Sequence, residues 1–174
     1  MNKFGAILRS VTFAGALIGA GMAVSPALAA QSDIDLLSSY MGAWKGRGVV
    51  TGAESETVVC KLNLTSGNNK QITYDGKCTL AGSNLSIHGT IAYIDALKRY
   101  EAAMTTNASF TGFAVGKKQR DGVIFNLKER DTSEGKDWQI TAAIALLNGE
   151  IQVDFKVIDA NSGGSIKANI PFQK

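Results

Sequence analysis

Histidine occurs once in this chain of 174 residues, cysteine twice, and aromatic residues make up only 7%. The single histidine, His88, meets no Gly-x-Ser-x-Gly turn that would present a serine beside it, so the sequence offers no triad chemistry. Two cysteines, Cys60 and Cys78, lack the two further ligands that zinc requires, and their spacing is not that of a redox dithiol at a helix start. Carboxylate pairs placed for proton transfer are missing as well. No enzymatic activity is therefore expected.

Phosphate chemistry finds no better footing. Gly112-Phe113-Ala114-Val115-Gly116-Lys117-Lys118 is one residue too short for a phosphate loop, lacks the Ser/Thr and opens no helix. Ser133 to Lys136 matches a serine-lysine spacing inside a polar turn, where such strings arise by chance. The cluster Glu129-Arg130-Asp131 and the pair Asp154/Lys156 are read as solvated outer-face charges, with Glu129 at a rim.

The first residues are a basic start (Lys3, Arg9), an uncharged apolar run from Ser10 to Val24, and Ser25-Pro26-Ala27-Leu28-Ala29-Ala30. This is the form of a secretory signal peptide, expected over residues 1–29 with cleavage after Ala29, and it leaves one domain over residues 30–174. No cysteine follows directly, so no lipoprotein anchor is expected, and the product is placed in the periplasm or secreted. The chain carries 18 Lys+Arg against 15 Asp+Glu, and Lys3 and Arg9 belong to the leader. What remains is close to neutral and carries no electrostatic footprint for nucleic acid. After cleavage no membrane span is left.

Residues 32–41 read as a short helix of about two turns, capped by Ser32 or Asp33, with Ile34, Leu37 and Met41 on one face and Gly42 as its stop. After Trp44 the apolar period changes to two and stays there. The inward sets are Trp44, Gly46, Gly48 and Val50; Val58, Cys60, Leu62 and Leu64; Ile72, Tyr74, Gly76, Cys78 and Leu80; Leu85, Ile87, Gly89, Ile91 and Tyr93; Tyr100, Ala102 and Met104; Phe113 and Val115; Val123, Phe125 and Leu127. Three clean strands follow, each alternating in the same way: Trp138 to Leu146, Ile151 to Val157 and Ile166 to Phe172. Turn signals separate them, among them Asp121-Gly122 and Asn148-Gly149.

About ten antiparallel strands with short links and one apolar face each must close on themselves or form two layers. An all-β up-and-down barrel is expected, with a two-layer sandwich as the alternative. A hairpin centred on Asn69 pairs residues whose numbers sum to 138, which sets Cys60 opposite Cys78 with every inward residue on one face. A structural disulfide is expected from that register, in agreement with export. His88 falls on the polar face with Ser86 and Thr90. Glycine and alanine at Gly76, Gly89, Ala102 and Ala142 leave room inside the barrel.

The helix running into Gly42-Ala43-Trp44, followed by the antiparallel meander, resembles the calycin barrels: lipocalins, fatty-acid-binding proteins and the nitrobindin-like group. Trp44-Lys45-Gly46-Arg47-Gly48 looks most like the nitrobindin-like variant. The resemblance makes Gly42, Trp44, Gly46 and Gly48 a structural motif in which Trp44 packs across the end closed by the helix, often under an arginine from a late strand. The last three strands here hold no arginine. The nitrobindin-like haem site uses a late-strand histidine, which this chain lacks, so no haem, other cofactor or metal is expected.

What the resemblance implies is a barrel enclosing a small apolar ligand, with Tyr74, Tyr93, Tyr100, Met104, Phe113, Phe125 and Trp138 as candidate lining. A second resemblance, in the order Trp44, Cys60, Cys78, is to periplasmic metalloprotease inhibitors, which implies a protein partner and an extended N-terminal segment. A transmembrane barrel is the remaining alternative, because alternation alone does not say which face points outward.

Overall fold

The computed structural model describes residues 26–174, apart from 81, 109, 133, 134 and 136. Most of the expected leader, residues 1–25, lies outside the described residues. One helix, α1 (Pro26–Ser38), precedes ten strands: β1 (Gly42–Thr51), β2 (Ser55–Ser66), β3 (Ile72–Leu80), β4 (Ser83–Ile94), β5 (Arg99–Thr106), β6 (Thr111–Gln119), β7 (Gly122–Asp131), β8 (Trp138–Leu147), β9 (Glu150–Asp159) and β10 (Ser165–Gln173). Each strand pairs antiparallel with its sequence neighbours, and β1 pairs with β10, so the sheet is a closed up-and-down barrel.

The period-two alternation fixes which face turns in. Trp44, Val58, Cys60, Leu64, Ile72, Phe125, Ile151 and Phe172 are buried, while Lys45, Lys61, Lys77, Lys156 and Lys167 stand on the opposite, solvent-facing side of their strands. A charged outer wall around an apolar interior is the reverse of a transmembrane barrel. Among the described residues no helix is long and apolar enough to cross a membrane.

Cys60 and Cys78 are directly paired, flanked by Val58 with Leu80 and Leu64 with Tyr74, and the disulfide is formed across a Cα separation of 4.0 Å. At the β8–β9 hairpin both turn residues, Asn148 (φ 53°) and Gly149 (φ 77°), adopt the left-handed conformation that a tight two-residue turn needs.

Strand β6 departs from the expected parity. Gly112, Ala114 and Gly116 face inward, while Phe113 (49% exposed) and Val115 lie on the outer wall. The reason is volume. A Cβ at Gly116 would stand 2.7 Å from both Phe125 and Val123 and 2.8 Å from Tyr100, so the large side chains of β5 and β7 already fill the space β6 faces.

The helix also turns a different face from the one expected. Asp33, Leu37 and Tyr40, not Ile34 and Met41, are the buried positions of this segment. The α1 segment lies at the end of the barrel where β1 begins, called the closed end below; the opposite end, at the β3–β4 and β5–β6 turns, is the mouth. The expected cleavage point after Ala29 falls in the first turn of α1.

Candidate functional site: an apolar cavity plugged at one end

The closed end is built around Trp44. Its indole N–H donates to the Tyr40 carbonyl at 2.9 Å, the Tyr40 ring stacks against it at 6.3 Å, and the Tyr40 hydroxyl accepts from the Gly149 amide at 3.3 Å. Gly42 makes the turn from helix to strand at φ 122°, a conformation that excludes a Cβ. The cation over the tryptophan is Lys174, whose ammonium lies 5.0 Å from the ring centroid and donates to the Ser39 carbonyl. It occupies the place that the resemblance gives to a late-strand arginine, and it was missed because it lies beyond the last apolar strand.

Beside this pair, α1 presents a buried carboxylate. Asp33, 5% exposed, accepts a 2.7 Å hydrogen bond from the Tyr100 hydroxyl, and the Lys118 ammonium donates to the same oxygen. The Tyr93 hydroxyl adds a further contact, and the Tyr93 and Tyr100 rings meet edge to face at 5.1 Å. Burial pushes the Asp33 carboxyl up, but the Lys118 hydrogen bond, the Tyr100 hydroxyl and the lysine charge outweigh it and leave it below the usual carboxylate value. Burial, with Asp33 alongside, raises Tyr100 well above an ordinary phenol.

Because the unfolded chain takes up the proton first, the stability carried by Asp33 is complete above about pH 4 and is lost as pH falls through its lowered folded-state value. Asp33→Asn is expected to cost about 2 kcal/mol at neutral pH. It should also flatten the dependence of the urea midpoint between pH 3 and 6; an unchanged slope would remove Asp33 from this role.

Above the plug lies a cavity of about 680 Å³. Its walls are almost wholly apolar, with Leu62, Ile87, Met104, Phe125, Ile144 and Phe155 among them, and the disulfide forms part of the lining. Polar lining side chains are Tyr74 within the wall and Ser83, Asn84, Thr106 and Asn107 at the mouth; among the described residues no charged side chain lines the space. The Tyr74 hydroxyl is engaged, donating to the Ala103 carbonyl at 3.1 Å, and burial pushes its phenol up to about 12. Asn107 ties the two mouth turns together, accepting from the Ser86 amide at 2.9 Å and donating to the Asn84 carbonyl at 3.1 Å.

Of the seven candidate lining residues, Tyr74, Met104 and Phe125 line the cavity. Tyr93 and Tyr100 belong to the Asp33 plug instead. Phe113 is on the outer wall, and Trp138 keeps its inward register but sits at the first position of β8, 37% exposed at the mouth. Of the four small residues expected to leave room, Ala102 and Ala142 line the cavity, whereas the wall at Gly89 is covered by the Tyr74 ring and a Cβ at Gly76 would stand 3.3 Å from the Leu62 side chain. His88 is on the outer face as expected, paired there with Asp75. Among the described residues no cluster of His, Cys, Asp and Glu is arranged to hold a metal ion.

No protein-family model matches the chain, and no curated protein matches it. Solved structures similar to it include the following two. Rv2717c from M. tuberculosis superposes with a TM-score of 0.59 at 14% identity, covering 82% of this chain and 98% of that one. An S-type phycobiliprotein lyase, CPES from Guillardia theta, superposes with a TM-score of 0.50 at 9% identity, covering 79% and 89%. At such identities the likeness is one of fold. A closed ten-stranded antiparallel barrel, with its N-terminal helix set against one end, is a calycin-like fold.

Proposed function

We propose that this protein is an exported β-barrel that binds a small hydrophobic ligand in its interior. The observation that carries the reading is the cavity of about 680 Å³, a size common to small-molecule sites, walled by apolar side chains and closed at one end by α1. The reading is of a binding protein and not an enzyme, since among the described residues the lining supplies no charged pair for proton transfer. Export is supported by the leader-like composition of residues 1–29 and by the disulfide, which suits an oxidising compartment.

The test is native mass spectrometry of the protein from its own compartment, with titration of a hydrophobic fluorophore. Ala142, a lining residue that pairs with Phe155, is the position at which to fill the space. Ala142→Phe is expected to weaken fluorophore binding at least about tenfold while the β-sheet circular dichroism is retained. Unchanged binding in that folded variant would place the fluorophore elsewhere and overturn the reading.

A second reading, a module for a protein partner, is favoured by Phe113 and Val115 on the outer wall of β6. Its inhibitor form depends on an extended N-terminal segment, whereas Pro26–Ser38 here is helical and docked through Asp33.

A further inference from the structure

A net charge close to zero conceals a segregated outer wall. The strand register sets Lys45 on β1 opposite Lys61 on β2, and Lys61 opposite Lys77 on β3, so three lysines stand in one row across neighbouring strands. All three are exposed, as is Arg47, the next outward position along β1. With strands about 4.8 Å apart, the row spans about 10 Å. Among the described residues none of these four cations enters an ion pair.

The surroundings do little to neutralise them. The one acid among the outward positions of β1, β2 and β3 is Asp75, which is engaged by His88 on β4; Glu54 lies in the β1–β2 turn, at the mouth end. On the other flank β10 sets Gln173 beside Lys45 and Asn169 beside Val49, both uncharged. Asp154 on β9 is held by Gln152 and Asn169, and Lys156 faces Lys167 as a second like pair. The fold gains nothing from such rows, because like charges directly opposite each other across strands repel. Negative charge laid against the wall turns that repulsion into attraction.

Two apolar side chains stand among the cations: Val59, opposite Arg47 and 47% exposed, and Val49, 51% exposed. Cations interspersed with apolar side chains suit the boundary of a bilayer, where headgroup meets acyl chain. We propose that the outer face of β1, β2 and β3 docks this barrel on a membrane surface of anionic phospholipid. The face lies on the outer side of the wall whose inner side carries Cys60 and Cys78, so the docking is independent of what the interior holds.

The test is co-sedimentation of the protein from its own compartment with vesicles of phosphatidylcholine alone and of an equal mixture with phosphatidylglycerol. Binding to the mixed vesicles is expected to be at least about tenfold tighter at low salt and to fade as salt screens the wall. Lys61→Gln with Lys77→Gln, checked by circular dichroism, should weaken that binding at least about tenfold. Lys117→Gln with Lys128→Gln removes the same charge from β6 and β7, on the opposite wall, and should stay within about threefold of the parent. Equal binding to both vesicle types, absence from both, or equal loss from the two variants would overturn the docking face. Duplex DNA captured as tightly as the mixed vesicles would overturn the choice of lipid. Fluorophore titration reports the interior alone, so the cavity reading stands or falls separately.

Discussion

Gly89→Ala is expected to lower the free energy of unfolding by about 3 kcal/mol, a large change for the addition of one methyl group. The methyl has nowhere to go. A Cβ at this position would stand 2.2 Å from the Ala103 carbonyl oxygen and 2.3 Å from the ring carbon and hydroxyl oxygen of Tyr74. The first obstacle is backbone of the neighbouring strand and cannot rotate aside. The second is the ring that donates a hydrogen bond to that same carbonyl.

Relieving the clash therefore means moving β4 from β5 or driving Tyr74 into the cavity, with loss of its buried hydrogen bond. The second outcome has its own signature. In the native protein the Tyr74 stability contribution is complete below the ordinary phenol value of about 10 and lost as pH rises through about 12. Once the ring is expelled, the absorbance titration of one tyrosine should move back toward the ordinary value. A urea midpoint within experimental error of the parent would show that β4 and β5 separate at no cost, against this account.

Removing the disulfide is the second large effect. Cys60→Ala with Cys78→Ala is expected to cost about 3 kcal/mol, because the bridge closes a loop with a sequence separation of 18 in the unfolded chain. The same change takes two sulfur atoms out of the cavity wall, since both cysteines line it. Stability and ligand affinity should then fall together, whereas the reduced dithiol, with its sulfurs still in place, should lose stability chiefly. Denaturation curves of the double variant and of the parent with and without reductant separate these contributions. A double variant as stable as the parent would mean that the hairpin forms in the unfolded chain and gains nothing from the bridge.

The residues explain why so much of the barrel was legible and where legibility ended. One sum, 138, placed Cys60 against Cys78, because the period of two allows only a register that keeps all inward residues on one face. The same logic misassigned β6, where hydrophobicity pointed to Phe113 and Val115 while the facing rings of Tyr100 and Phe125 left room only for Gly112, Ala114 and Gly116. Pattern reads polarity along a single strand, and packing there is decided by the volume of side chains on the two flanking strands, β5 and β7.

Long-range polar contacts were equally out of reach. Asp33 is 67 positions from Tyr100 and 85 from Lys118, so nothing local marks it as a buried anion and not a helix cap. Lys174 was hidden for the same reason: its partner, Trp44, lies near the other end of the strand order. Tyr93 and Tyr100, read as lining for an apolar ligand, are drawn instead to the one carboxylate that the helix brings inward.

The barrel's seam bears on how the chain comes to be folded. Every strand pairing but one joins neighbours in sequence; the exception is β1 with β10, where Lys45 meets Gln173 and Thr51 meets Lys167. The nine hairpins have low loop-closure cost and can form in any order, but β1 keeps an unpaired edge until β10 arrives. As the chain folds, the open sheet thus carries a sticky margin until the last strand is in place. The step that ends this exposure is also the one that brings Lys174 onto Trp44, so burying the apolar interior and capping the tryptophan become a single late event.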